Sequence, residues 1–269
     1  MSGGDVASFF RGRAVLVTGA SSGIGAELAR QLARHGARLA ILARRRESLE
    51  ALADELRAAS GATVLVLACD VSEPAAVAGA LARIERELGL PDVAILNAGI
   101  GESRKLDDFS VEWVRRIFET NLYGVLRFVE PLLGPMLARR AGTIAVTSSL
   151  ARDRAMTQTG AYSASKAALS AVIESLRIDA WTRGVRFITI EPGFVKSPMT
   201  DRNAFPMPFV VPTERAAEIV LRGIARGVPV IRFPWPMAAI TYVLRLLPNR
   251  LFLWAGSRLS LKRDLKKPG

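Results

Sequence analysis

The sequence predicts an α/β fold, a doubly wound parallel sheet with helices on both faces, and three observations carry that expectation. Short apolar runs that read as buried strands alternate with helical segments from residue 13 to about residue 233. The first run, RAVLVT at residues 13–18, passes into the glycine-rich turn GASSGIG and then into a helix that continues to about Gly36. Far downstream, Tyr162 and Lys166 stand four residues apart on a helical segment that follows a strand-like run.

Taken in order, the first turn has Gly19 for a tight bend, while Gly23 and Gly25 let backbone and helix approach a pyrophosphate, whose charge is favoured at a helix N-terminus. Ser21, Ser22 and Ile24 complete this candidate cofactor loop, although by itself the pattern also fits, less well, a plain strand-to-helix turn. His35, the one histidine, falls at the end of the helix as a surface or cap residue, so a His-based triad has no candidate. The second strand, RLAILA, ends at Ala43 and leads into Arg44-Arg45-Arg46. Dinucleotide sites for NAD commonly place an acid here for the ribose hydroxyls, whereas NADP requires its absence and a nearby cation. Ala43 with Arg44 therefore favours NADP(H), and Arg46 is better explained as the solvated start of the helix ESLEALADELRAAS.

The third strand, TVLVLACD, ends in Asp70, with Val71 next, and a helix from about Pro74 to Leu88 has its proline in the first turn. The fourth strand, DVAILNAG, brings Asn97, Ala98 and Gly99 to the sheet edge. Val111–Arg140 reads as one long helix, with Trp113, Ile117, Leu122, Val125 and Val129 at helical spacing and Asn121 inside it. GTIAVTS ends in Ser148, with Ser149 directly after it, at the carboxyl end of a strand, where open α/β sheets place their ligands. On the next helix, from about Gly160 to Arg183, the Lys166 ammonium can lie near the Tyr162 phenol and favour its ionised form, which makes Tyr162 a candidate acid/base. VRFITIEPG then ends in Pro192-Gly193, with Val195 and Ser197 following. A Pro- and Met-rich stretch at about 197–212 reads as a substrate loop, before the helix TERAAEIVLRGIARG and the last strand VPVIRF.

Thr18, Gly19, Gly23 and Gly25, with Asn97-Ala98-Gly99, Asn121, Ser149, Tyr162 and Lys166, together resemble the short-chain dehydrogenase/reductase family over roughly residues 12 to 230. The resemblance implies a seven-stranded Rossmann-type sheet of order 3-2-1-4-5-6-7. It implies Asp70 beside an adenine ring, with Val71 next to it, and Asn97, Ala98 and Gly99 at the cofactor edge. Pro192, Gly193, Val195 and Ser197 would border the nicotinamide, with the Ser197 hydroxyl on its carboxamide. In the family the catalytic serine precedes the tyrosine by thirteen positions, which selects Ser149 over Ser148. Ser149 would orient and polarise a carbonyl, Tyr162 would act as acid/base, and Lys166 would lower the tyrosine pKa and hold the nicotinamide ribose. Asn121 would supply an amide that binds a water linking Lys166 to solvent. Leu96 departs from the Asn-Asn-Ala-Gly of many relatives and is taken as a local structural change. The implied activity is NADP(H)-dependent interconversion of a carbonyl and a secondary alcohol, on a small hydrophobic or lipid-like substrate, by a homo-oligomer. A cofactor-binding regulator without turnover is the alternative, and the complete set Asn121, Ser149, Tyr162 and Lys166 argues against it.

At 269 residues the chain suits one Rossmann-type domain over 1–232 with an apolar, basic helical extension over 233–269. The net charge of +12 invites nucleic acid as a partner, but no recognition motif supports one. A phosphorylated cofactor, an anionic membrane or solvated helix faces account for it equally. A single cysteine, Cys69, excludes a disulfide within the chain and points to a cytoplasmic setting, and MSGGDVASFFRGR lacks an apolar signal core. No Cys/His cluster suggests a metal. In the extension, Arg245 and Pro248-Asn249-Arg250 interrupt the apolar residues well short of the ~20 needed to span a bilayer. Two short helices flanking Pro248 are expected, with Arg245, Arg250, Arg258, Lys262, Arg263, Lys266 and Lys267 as their cations. They would lie on an anionic membrane surface, cap the substrate pocket or bury their apolar face against a second copy; all three remain open at this level.

Overall fold

The computed structural model describes residues 5–201 and 207–264. After a short helix α1 (Val6–Phe10), strands and helices alternate: β1 (Ala14–Thr18), α2 (Gly23–Arg34), β2 (Arg38–Ala43), α3 (Arg46–Ser60), β3 (Val64–Ala68), α4 (Pro74–Leu88) and β4 (Val93–Leu96). The second half adds α5 (Val111–Phe118), α6 (Gly124–Ala138), β5 (Gly142–Thr147), α7 (Gly160–Ala180), β6 (Val185–Pro192), α8 (Thr213–Arg226), β7 (Val230–Phe233), α9 (Trp235–Leu246) and α10 (Asn249–Asp264). All seven strands pair in parallel in the order β3-β2-β1-β4-β5-β6-β7, as expected.

Burial on both faces explains the uninterrupted apolar strands, because each successive side chain must find a core. Val15 and Val17 of β1 pack with Leu28, Leu32, Val220 and Ile224 under α2 and α8, whereas Leu16 packs on the other face with Ile84, Phe128 and Leu169. Helix ends follow local chemistry. Gly61 (φ 65°) and Gly227 (φ 68°) stop α3 and α8 in the left-handed conformation. Pro74 opens α4, where its missing N–H would have had no helical partner.

The segment expected as a single helix from Val111 to Arg140 is instead α5 and α6 joined by a π turn at Glu119–Tyr123, where the Gly124 N–H reaches back to the Glu119 carbonyl. Its inward residues recur mostly every four positions, a longer interval than the 3.6-residue turn, and the wider turn absorbs the drift. α7 ends at Ala180 rather than Arg183, and Gly184 (φ 81°) leads into β6. The extension forms two helices flanking Pro248, and among the described residues no helix is long and apolar enough to cross a membrane. Part of the expected substrate loop, residues 202–206, lies outside the described residues, as do Lys266 and Lys267 and the side chains of Lys262 and Arg263.

Candidate active site

The carboxyl ends of β1, β4, β5 and β6 meet at one edge of the sheet, and the glycine turn is folded against them. Gly19 (φ +70°) and Gly23 (φ +56°) adopt backbone that a side chain disfavours. A Cβ on Gly19 would stand 2.9 Å from the Ala98 Cα, one on Gly23 would stand 3.3 Å from the Ser197 Cβ, and one on Gly25 would overlap the Gly19 carbonyl oxygen. Thr18 fixes this approach, since its hydroxyl accepts from the N–H groups of Asn97 and Ala98, both at 3.0 Å. The Asn97 amide donates to the Thr18 carbonyl at 3.3 Å and accepts from the Thr147 hydroxyl at 3.2 Å, so it ties β1 and β5 together across β4. Leu96, one position earlier, is buried in the core. Ser22 precedes α2 in extended conformation, and Ile24 packs against the core beneath the turn.

At the end of β2 the structure separates the three arginines. Arg44 stands 3.9 Å from the Asp70 carboxylate, whereas Arg45 donates to the Ser21 hydroxyl at 3.1 Å and carbonyl at 3.3 Å. Arg45 therefore touches the glycine turn, a residue absent from the expected set although it lay in the same arginine run. Burial pushes the Asp70 carboxyl up, but hydrogen bonds from the Ser72 hydroxyl (2.7 Å) and N–H (3.0 Å), together with Arg44, outweigh it and hold the carboxyl below its usual range. Val71 is buried against Gly124, where a Cβ would come 2.8 Å from its side chain.

Ser148 and Ser149 have different fates despite their adjacency. The Ser148 hydroxyl is 2.7 Å from that of Ser170 and donates to the Lys166 carbonyl at 3.0 Å, which commits it to the interior. Ser149 turns to the edge, accepting from the Ala151 N–H at 3.1 Å and hydrogen-bonding to the Tyr162 side chain. The Lys166 ammonium donates to the Thr147 carbonyl at 2.6 Å and lies 5.9 Å from the centre of the Tyr162 ring. Gly99 closes the group: a Cβ there would be 3.4 Å from the Lys166 Nζ and 3.2 Å from the Asn121 Oδ1. Ser149, Tyr162, Lys166, Asn121 and Gly99 are thus brought together beside the glycine turn. Pro192 and Gly193 adjoin them, and Val195 is buried just beyond, bridged to Val211.

Two details could not be read from the sequence. The Tyr162 phenol is pushed up by burial, with the Ser149 hydrogen bond acting against this. The ammonium is drawn onto the Thr147 carbonyl, and burial pushes Lys166 itself down to about 8. The second detail is how the Asn121 amide is engaged within the chain. Fully buried on the π turn, it accepts from the Ile100 N–H at 2.8 Å and donates to the Ile100 carbonyl at 3.0 Å and the Ser165 hydroxyl at 3.1 Å. Its side chain braces the chain just after Gly99.

A charged cluster that sequence reasoning missed borders the same edge. Glu191, just before Pro192, accepts from Arg152 at 2.8 Å and pairs with Arg232 at 2.9 Å, while Arg232 also pairs with Asp153. The Thr241 hydroxyl of α9 donates to Asp153 at 2.9 Å. Both carboxylates are about 1% exposed, and burial pushes Glu191 up despite its two arginines. Next to it, Arg154 donates to the carbonyls of Arg245 and Leu247, both at 3.2 Å, and to the Asn249 side chain at 2.7 Å, and stacks 4.1 Å over Phe252. The visible signals were an Arg-Asp-Arg run just past Ser149 and a lone acid in an apolar strand. This clamp brings α9 against the site: a Cβ on Gly193 would meet Met237 at 3.2 Å and Leu150 at 3.4 Å.

Comparison with known proteins agrees with this geometry. A family model described as short chain dehydrogenase matches residues 13–205. A protein named as an uncharacterized oxidoreductase from Myxococcus xanthus (strain DK1622) is 43% identical over 247 residues, covering 92% of this chain and 97% of that one. A short-chain dehydrogenase/reductase from Burkholderia phymatum, solved in complex with NAD, is 26% identical with a TM-score of 0.79, over 87% of this chain and 92% of that one. A short-chain dehydrogenase from Sphingobium yanoikuyae, solved in complex with NADPH, is 25% identical with a TM-score of 0.77, over 96% of this chain and 98% of that one. With the family match spanning well over half its length, the chain belongs to the short-chain dehydrogenase/reductase family of oxidoreductases.

Proposed function

We propose that this oxidoreductase interconverts a carbonyl and a secondary alcohol with NADP(H), working chiefly as a reductase of a small apolar, lipid-like ketone. The observation that carries this reading is the convergence of Ser149, Tyr162 and Lys166 on the edge that the glycine turn also borders. A dinucleotide suits this edge because the glycine turn, packed on the Asn97 amide and the Ala98 backbone, leads straight into the N-terminus of α2, where a pyrophosphate charge is favoured. Ser21, Ser22 and Ile24 would complete the pyrophosphate loop. Asp70 and Val71 would border the adenine, and Asn97, Ala98 and Gly99 the ribose side with Tyr162 and Lys166. Pro192, Gly193, Val195 and Ser197 would flank the nicotinamide. Relatives solved with NAD and with NADPH leave the choice to this chain's own residues, and two arginines with no acid at the end of β2 favour a 2′-phosphate.

A nicotinamide cofactor held at this edge by the residues named above would supply the hydride that the carbonyl carbon receives. Tyr162 gives its phenolic proton to the carbonyl oxygen, and the Ser149 hydroxyl donates a hydrogen bond to the same oxygen to orient and polarise it. The phenol, kept protonated by burial, is in the form that this donation needs. The Lys166 ammonium stabilises the phenolate that remains until a proton from solvent replaces the one given up. Leu150, Met199 and Met237 around Gly101 and Gly193 offer the substrate an apolar wall. The setting we infer is cytoplasmic, as a homo-oligomer working beside a membrane surface from which such a ketone is drawn.

The test pairs an NADPH titration with turnover on a panel of aliphatic and aromatic ketones. Tyr162→Phe should lower turnover by about 10²–10⁴-fold and leave NADPH binding intact. Wild-type turnover in the folded variant would refute the assignment. Wild-type protein that binds NADPH but turns over no ketone would establish the regulator instead, and tighter binding of NADH would overturn the cofactor choice.

A further inference from the structure

We propose that the α9–α10 hairpin is a docking surface for anionic lipid bilayers. On α9, Trp235, Ala239, Tyr242, Val243 and Leu246 recur at the spacing of one helical face, and all are exposed, Trp235 at 79% and Leu246 at 65%. The other side of the helix is the one held to the body, through Thr241 on Asp153 and Met237 beside Gly193. On α10 the arrangement repeats: Phe252 turns inward under Arg154, while Leu251, Leu253 and Trp254 face solvent at 56–67% exposure. Arg154 also holds the carbonyls of Arg245 and Leu247, so the hairpin presents its apolar side from a fixed base.

Charge selects the occupant. Arg245, Arg250 and Arg258 are exposed beside the apolar residues, and the sequence from Phe233 to Arg263 contains no Asp or Glu. A two-fold contact with a second copy would set these arginines against themselves with no counter-charge in the segment. Anionic headgroups supply that counter-charge, and aromatic rings such as Trp235, Tyr242 and Trp254 are at home at headgroup depth. Helices of twelve and sixteen residues are too short to span the hydrocarbon, so the hairpin lies in the interface. This docking deepens the reading of a lipid-like ketone by naming its source, and its test needs no turnover.

The full chain is floated with phosphatidylcholine vesicles, with and without phosphatidylglycerol, at low and raised salt. Binding is expected to the anionic vesicles only. Arg245→Gln with Arg258→Gln should weaken it about thirtyfold, from the loss of two surface-bound cations. Trp235→Ser with Trp254→Ser should weaken it at least about tenfold through lost apolar burial. Arg183→Gln with Arg226→Gln removes equal charge from exposed positions outside the hairpin and should leave binding nearly unchanged. Failure to float with anionic vesicles at low salt overturns the proposal. So does an equal loss from both arginine pairs, which would mean nonspecific attraction, or a dimer that the tryptophan variant dissociates while vesicle binding persists. Since flotation is read without substrate, its failure leaves the carbonyl chemistry standing, and loss of turnover in Tyr162→Phe leaves the docking standing.

Discussion

The glycine turn and the C-terminal hairpin border the same site and are held there by opposite means. At the turn, backbone lies against backbone: Gly19 meets Ala98 and Gly25 meets the Gly19 carbonyl, with the Thr18 hydroxyl fixing the spacing. At the hairpin a few side chains do the holding, chiefly Arg154, Asp153 and Thr241, beneath a largely exposed apolar surface. A ligand common to many family members can be met by fixed backbone. A segment that hangs from a few replaceable side chains is more readily altered without disturbing the body.

The comparison breaks most severely if the backbone approach is blocked. Gly25→Ala should cost about 1–3 kcal/mol of stability, because its methyl has only the Gly19 carbonyl and the Asn97 amide to displace. Nucleotide affinity should fall with it, and a melting curve beside an NADPH titration measures both. A neutral result would mean that the turn is looser than its contacts imply. Next in size is the choice between cofactors. Arg44→Ala and Arg45→Ala should each weaken NADPH by roughly 1.5–3 kcal/mol if the residue meets the 2′-phosphate, and leave NADH nearly untouched. Comparing the two variants decides whether Arg44, paired with Asp70, or Arg45, lying on Ser21, makes the contact. Equal losses for both nucleotides would remove the basis for NADP(H). The smallest effect is expected at the hairpin. Arg154→Ala should cost about 0.5–2 kcal/mol locally, from its stacking on Phe252 and its carbonyl contacts. Hydrogen exchange across 235–258 should quicken while the melting temperature of the body barely moves. Unchanged exchange would show that α9 and α10 have another anchor.

The fold was readable from the sequence wherever one residue type had one physical reason to be present. Strands buried on both faces must be apolar throughout, and Gly19, Gly23 and Gly25 are required where backbone approaches backbone. Tyr162 and Lys166 stand out because four residues make about one helical turn. The parts that escaped depend on distant partners or on degree of burial. Nothing near Arg154 announces Asn249 or Phe252, nearly a hundred residues further on, and Glu191 finds its partners only when β6, β7 and the loop after β5 are assembled. Arg45 was hidden by its neighbours, since a run of three arginines does not reveal which one turns toward Ser21. The Tyr162 phenol is pushed up by burial, a property of the assembled fold that no spacing in the sequence displays.

The π turn between α5 and α6 makes chain length itself a specified quantity. Trp113, Ile117, Asn121, Val125 and Val129 recur every four residues, which in an unbroken α-helix would carry the last about 160° away from the first. The five-residue turn at Glu119–Tyr123 takes back about 100°, so Trp113 and Ile117 meet Ala161 while Val125 and Val129 still reach the main core. Deleting one residue there would let the helix run through and swing α6 by that same angle, pulling Val125 and Val129 off the sheet and Asn121 away from Ile100. The number of residues between Ile117 and Val125 is therefore fixed as tightly as their apolar character.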